Sequence, residues 1–177
     1  GRLSNPEWQE MMAKGDGLRQ APIFIDDTAQ LSYVELRQKV RRMKQEHQIE
    51  LVVVDYLQLM RPSGGNKSTN REQEVAKLSA EIKALSKEQN IPILLLCQLN
   101  RQAEQTGGRP KLSHLRESGA IEQDADVVML HHRERDLEIT TETSEAAIDG
   151  LETDLIVAKH RNGETGMVKL TFKPETT

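Results

Sequence analysis

Cysteine, aromatic side chains and long apolar runs are all scarce in this 177-residue chain, and each scarcity closes a line of explanation. A single cysteine, Cys97, rules out a disulfide within the chain and a thiolate metal cluster. It ends the apolar run Ile93-Leu94-Leu95-Leu96-Cys97, where a buried structural thiol is expected rather than a nucleophile. Its isolation fits a reducing, cytoplasmic setting. One Trp, two Tyr and two Phe are too few to build platforms on which bases stack. No apolar stretch is long enough to span a bilayer and no signal-peptide pattern opens the sequence, so no membrane partner is expected. A surplus of basic charge is missing too. The formal net charge is −4, so any contact with nucleic acid must come from local loops. There is no internal repeat, and the length suits one α/β domain or a large part of one. The first residue is Gly1, not methionine, and the chain is expected to be a piece of a longer protein.

The most informative stretch present is Leu51-Val52-Val53-Val54-Asp55, followed by Tyr56-Leu57-Gln58-Leu59-Met60. Four consecutive apolar residues, three of them β-branched, predict a strand buried on both faces, as in a parallel sheet covered by helices. An acid that ends such a strand contributes nothing to packing and is costly to bury alone. It belongs at the carboxyl edge of the sheet, where α/β folds bind their ligands. In nucleotide-driven motors an aspartate there orients the magnesium that accompanies a nucleoside triphosphate. A strand-end acid that caps a helix or faces solvent has the same local pattern.

Strands and helices alternate around it. A helix is expected over 5–14, with Asn5 as cap, Pro6 at its first position and Gly15 and Gly17 ending it. Ile23-Phe24-Ile25 reads as a short strand ending in Asp26-Asp27. Ser32 with Glu35 forms a capping box for a helix whose apolar face is Tyr33, Leu36, Val40, Met43 and His47. Its other face, with Arg37, Lys39, Arg41, Arg42 and Lys44, reads as solvated surface. After a basic loop over 61–70, Asn70 and Gln73 announce another helix, with Val75, Leu78, Ile82 and Leu85 as its buried stripe and Asn90 as its stop. Strands follow over Ile93–Leu96 and Asp126–Leu130. A charged connection spans 131–152, and a hairpin of Leu155–His160 and Met167–Phe172 closes the chain around Asn162-Gly163. The alternation predicts a three-layer α/β fold with a mainly parallel sheet.

Polar residues recur at the strand ends. Gln98 follows Leu96-Cys97, and an amide there can bond a terminal phosphate or an attacking water, or simply satisfy loop carbonyls. Lys159 and Arg161 lie two apart at the hairpin tip and share a face. Side-by-side cations there suit a phosphate presented by another subunit, although exposed charged hairpin ends are common. Ser63-Gly64-Gly65-Asn66-Lys67-Ser68 has the context of a phosphate-cradling loop but not its glycines. The motif needs Gly immediately before the lysine and six positions before it, where this chain has Asn66 and Arg61. Bulk at those places prevents the backbone from wrapping phosphates. The acid and the amide therefore stand without a cradle of their own.

Taken together, Ile23–Asp27, Arg41–His47, Val53–Met60, Gln98–Arg101, Leu115–Asp126, Lys159–Gly163 and Val168–Phe172 resemble, in order and spacing, the bacterial DnaB-type replicative DNA helicases. The strings VVDYLQLM and LRESGAIEQDAD are the most specific, while 61–70 and 131–152 diverge. The resemblance implies a RecA-like motor fold with 1–177 as the C-terminal part of a single ATPase domain, the phosphate cradle, the catalytic glutamate and an N-terminal collar domain lying outside these residues. It implies ATP and Mg2+ as cofactors. Asp55 would be the Walker B acid, Gln98 the amide linking the nucleotide to the DNA-facing loops, and Lys159 and Arg161 the pair reaching a neighbour's site. Arg116, Glu117 and Gly119 would belong to a loop following single-stranded DNA, where locally Ser113 could equally cap a helix start. The implied partners are single-stranded DNA, five further copies in a homo-hexamer, a primase and a helicase loader, in the bacterial cytoplasm. The isolated segment is expected to be inactive. The rival expectations are a RecA-type or clock-type ATPase and a non-catalytic docking fragment.

Overall fold

Helix α3 (Arg71–Gln89) is the element around which the core assembles. Its stripe of Val75, Leu78, Ile82 and Leu85 is buried throughout, as the helical spacing predicts. Each such aliphatic side chain contributes about 1.5–3 kcal/mol when fully removed from water. In the computed structural model the described residues are 4–61, 71–100, 108–133 and 151–173. The basic loop from 62 on, its Ser63–Ser68 stretch, Asn70 and most of the charged connection lie outside them. Asn90 ends α3 with φ 46°, the left-handed conformation that closes helices.

Helix α2 (Tyr33–His47) starts on the expected capping box: the Glu35 amide donates to Ser32 Oγ at 3.3 Å, and the Ser32 amide donates to the Glu35 carboxylate at 2.8 Å. Leu36 and Val40 enter the core beside α3, Tyr33 and Met43 are partly buried, and His47 is exposed. The basic face is not merely solvated. Arg37 and Arg41 both grip Glu88 near the end of α3, Lys39 pairs with Asp26, and Lys44 donates to the Asn90 carbonyl. The contacts from Arg41 and then Arg37 hold the Glu88 carboxyl below its usual range. Lys39, helped by Thr28, pulls Asp26 down to about 2.

Strand β1 (Val52–Val54) pairs in parallel with β2 (Ile93–Leu95), Val54 beside Leu95. Val52, Val54, Ile93 and Leu95 pack on the α2–α3 core. The expectation of burial on both faces is corrected here. Val53, Leu94 and Leu96 on the other side are 54%, 38% and 41% exposed, because α2 and α3 cover only one face. Two further readings change. Helix α1 (Asn5–Gln20) runs through Gly15 and Gly17 instead of stopping at 14. A helical glycine costs only about 1 kcal/mol, whereas Pro22 restricts the residue before it, and the helix ends there. Ile23–Ile25 forms no strand, since it has no ladder partner among the described residues; Phe24 instead stacks on His47 with ring centroids 4.3 Å apart.

A second sheet has the order β3-β4-β5 and is antiparallel: β3 (Val127–His132), β4 (Leu151–His160) and β5 (Gly166–Phe172). The hairpin is longer than expected, because β4 begins at Leu151. At its Asn-Gly turn a Cβ on Gly163 would lie 2.3 Å from the His160 ring. Val128 and Leu130 of β3 face a smaller core with Leu115, Ile156 and Ala158. Short helix α4 (Gly119–Asp124) lies between α3 and this sheet, with Ile121 in the main core and Asp124 accepting from the buried Ser79 of α3 at 2.7 Å.

Candidate functional site

The parallel pair delivers its two polar termini side by side. Beyond the last paired residues, the Leu96 amide donates to the Val54 carbonyl and the Leu57 amide donates to the Leu96 carbonyl, each at 3.0 Å. The chains therefore leave the carboxyl edge together. Asp55 follows Val54 directly, its peptide to Tyr56 is cis, and a 3₁₀ turn over Leu57–Leu59 turns the chain back with Leu57 fully buried. Asp55 is exposed, and its carboxylate has no hydrogen bond or ion pair among the described residues. Gln98 is exposed as well, and its backbone is clamped: the Gln98 amide donates to Gln58 Oε1 at 3.4 Å, and Gln58 Nε2 donates to the Gln98 carbonyl at 3.3 Å. Gln58 thus behaves like one more residue of β1 paired to the chain beyond β2. Cys97, just before, is half-buried on the core, and burial pushes its thiol up to about 11. Such a thiol is protonated and inert at neutral pH.

The cationic pair sits at the other sheet and is engaged differently. Lys159 Nζ donates to the Glu122 and Gln123 carbonyls, and Arg161 Nη2 donates to the Gln123 carbonyl. These are last-turn carbonyls of α4, which carry the partial negative charge of a helix C-terminus and attract cations. Within the chain both side chains lie against α4, while the Arg161 side chain is still 48% exposed and open to a neighbour. Its second anchor is Asp126, whose carbonyl accepts from the Arg161 amide at 2.8 Å and whose carboxylate lies 3.7 Å from Arg161 Nη1. Lys83 of α3 binds the same carboxylate and holds it below the usual range.

Arg116, Glu117 and Gly119 occupy a 3₁₀ segment (Leu112–Ser118) and the first position of α4, not an open loop. The side chains of Arg116 and Glu117 lie outside the described residues. Gly119 has φ −52°, and nothing lies within 4 Å of where a Cβ would stand, so neither backbone nor packing demands glycine there. Ser113 lies inside the 3₁₀ segment and does not cap it; the Lys111 amide donates to His114 Nδ1 at 3.1 Å instead. Upstream, Arg109 pairs at 3.2 Å with Asp154, a buried acid in the middle of β4 that also meets Lys169 of β5 at 3.0 Å. The Lys169 contact holds the Asp154 carboxyl below its ordinary range. This tether joins the segment preceding Leu112 to the antiparallel sheet.

The sequence-predicted residues thus fall into three groups. Asp55 and Gln98 come together, Lys159 and Arg161 come together, and Arg116–Gly119 lies at the opposite end of α4 from the cations. Reasoning from sequence missed Gln58, Asp126 and Asp154. Gln58 stood inside a specific string with no assigned contact, which was a signal, whereas Asp154 lies in the polar stretch Glu152-Thr153-Asp154 before the expected strand and gave none. A single exposed carboxylate such as Asp55 is the kind of oxygen ligand that fits a hard cation keeping water and phosphate as its other ligands.

A family model for the DnaB-like helicase C-terminal domain matches residues 1–177. The replicative DNA helicase DnaB of Leifsonia xyli subsp. xyli is 45% identical over 174 residues, 98% of this chain and 36% of that protein. That of Geobacillus stearothermophilus is 40% identical over 176 residues, 99% of this chain and 37% of that protein. A solved DnaB-like replicative helicase, studied with its interactions with primase, has a TM-score of 0.83 at 32% identity, covering 96% of this chain and 39% of its own. A solved ATPase domain has a TM-score of 0.82 at 31% identity, covering 96% of this chain and 58% of its own. The chain spans little more than a third of the length of these curated relatives. With its α/β architecture and a match along its whole length, the chain belongs to the DnaB-like helicase C-terminal domain family.

Proposed function

We propose that residues 1–177 form the C-terminal part of a RecA-like ATPase domain in a hexameric, ATP-dependent replicative helicase that unwinds duplex DNA by moving along single-stranded DNA. The observation that carries this reading is the side-by-side exit of Asp55 and Gln98 from paired parallel strands, in a chain matched end to end by a helicase family model. The open apolar face of β1–β2 suits cover by the rest of such a domain, of which a solved relative has considerably more. Primase and a loader are the expected partners, and the bacterial cytoplasm the setting.

Each site lies between two subunits. Asp55 would hold magnesium and Gln98 would meet the terminal phosphate, and the bound cation would neutralise phosphate charge there. Lys159 and Arg161 of the adjacent subunit stabilise charge on the transferring phosphoryl group, the guanidinium bidentately and the ammonium as a point charge. Arg116 pairs with a phosphate of the single strand and Gly119 lets a backbone amide come close to one, with Glu117 between them. Movement of β2's end is carried to this segment through Gln98. Asp55→Asn in the ring-forming protein removes ATP-driven unwinding and leaves ring assembly intact, as measured by strand displacement and analytical ultracentrifugation. Unwinding at the original rate would overturn the reading.

A further inference from the structure

Asp126 has no role in the function proposed above, yet it meets Arg161 through both its backbone and its side chain. Its carbonyl accepts from the Arg161 amide at 2.8 Å, and its carboxylate lies 3.7 Å from Arg161 Nη1. Residue 126 immediately precedes β3, just before the register with the end of β4 begins, Val127 opposite His160. The same carboxylate is bonded by Lys83, which rises from α3. A third contact comes from α4, whose Gln123 carbonyl receives both Arg161 and Lys159. The guanidinium is therefore bonded by the Gln123 carbonyl and paired, at ion-pair distance, with the Asp126 carboxylate, while nearly half of its side chain stays exposed. A guanidinium has five N–H donors in a rigid fork, so one edge can be anchored while the other is presented.

We infer that Asp126 is a positioning residue for Arg161: with the Gln123 carbonyl it sets the direction from which the guanidinium meets a phosphate of the neighbouring subunit. The inference rests on the trans role of Arg161 proposed above. Lys83 has a subordinate part. It occupies one side of the carboxylate and steadies it against α3, and Arg161 keeps its backbone anchor without it. Because α4 begins at Gly119 and ends at the carbonyls that hold the pair, the cations and the segment proposed to face the DNA strand meet the two ends of one short helix.

A kinetic double-mutant cycle in the ring-forming protein tests this. Asp126→Asn lowers kcat for ATP hydrolysis roughly tenfold with KM unchanged, the scale expected when a charged group is slightly misplaced. Asp126→Glu, which keeps the charge but alters its reach, gives a smaller loss and serves as the second reading should the amide variant not fold. Lys83→Met stays near the original rate. On an Arg161→Ala background, neither Asp126 variant lowers the rate further. An Asp126 effect that persists in full on that background, an Asp126→Asn rate equal to the original, or a Lys83→Met loss as large as that of Asp126→Asn would each overturn the positioning role alone. Hydrolysis unharmed by Arg161→Ala would instead bring down the trans reading, and this inference with it.

Discussion

The end of the parallel pair and the tip of the antiparallel hairpin both carry charge, but they hold it in opposite ways. At the parallel end the backbone is fixed and the side chains are presented: Asp55 makes no side-chain bond among the described residues, and Gln98 is clamped only through its main chain by Gln58. At the hairpin tip the side chains themselves are engaged, Lys159 and Arg161 bonded to α4 carbonyls and Arg161 ion-paired with Asp126. The difference follows from chemistry. An isolated carboxylate at a sheet's edge finds few donors nearby, whereas a helix C-terminus offers acceptors to any cation within reach. In the proposed function it also separates two tasks: an acid that would serve magnesium works when open to its cation, while a cation that would act on a neighbour's phosphate needs aim.

The sharpest way to break this comparison is to remove the aimed cation. Arg161→Ala should reduce ATP hydrolysis by the ring about a thousandfold or more, the scale of an arginine finger, with nucleotide binding largely retained. Arg161→Lys should recover little, because an ammonium lacks the planar fork. A mild defect in steady-state hydrolysis would move Arg161 from the presented class to the merely structural one.

Less severe is the loss of the main-chain clamp. Gln58→Ala frees the backbone of Gln98 without touching its amide, and should lower DNA-stimulated hydrolysis by roughly five- to tenfold with smaller change in the DNA-independent rate. Equal losses with and without DNA would show that Gln58 supports the site generally rather than through Gln98.

The smallest effect expected is on acid stability, and it also divides the two regions. Asp126 and Asp154 at the hairpin side have carboxyls held below their ordinary range by Lys83 and Lys169. A carboxyl with a lower pKa folded than unfolded binds fewer protons in the folded state. Its stabilisation is complete above the ordinary carboxylate pKa of about 4 and is lost as pH falls through the depressed value. Urea unfolding followed from pH 5 down to pH 2 should therefore weaken steadily, and Asp154→Asn should flatten that decline. An unchanged slope would mean that the ion pairs around Asp154 persist into the unfolded chain.

Much of the fold was legible because its signals are local. The α3 stripe, the Ser32–Glu35 box and the Asn162-Gly163 turn each follow from a few adjacent residues, and each is where the pattern puts it. Three things were not legible. Helix α1 outran its glycines because their cost is small beside the restriction Pro22 imposes. Ile23–Ile25 has strand composition, but a strand also needs a neighbour, and sequence does not say which edges are occupied. The basic face of α2 looked like solvated surface because its acidic partners, Asp26 and Glu88, are remote in sequence. In the candidate site, residue types at strand ends marked Asp55 and Gln98. The hold on Arg161 was hidden, since it depends on carbonyls of α4, which every residue has.

The claim at the centre is that a nucleotide site is completed across a subunit boundary, Asp55 from one copy and Arg161 from the next. Rings assembled from an equal mixture of Asp55→Ala and Arg161→Ala subunits test it most directly, with ATP turnover as the readout. Each variant alone should be nearly inactive, and mixing should restore substantial turnover, because some boundaries then pair an intact Asp55 with an intact Arg161. Turnover that stays at the level of the single variants, in rings verified to contain both, would contradict it.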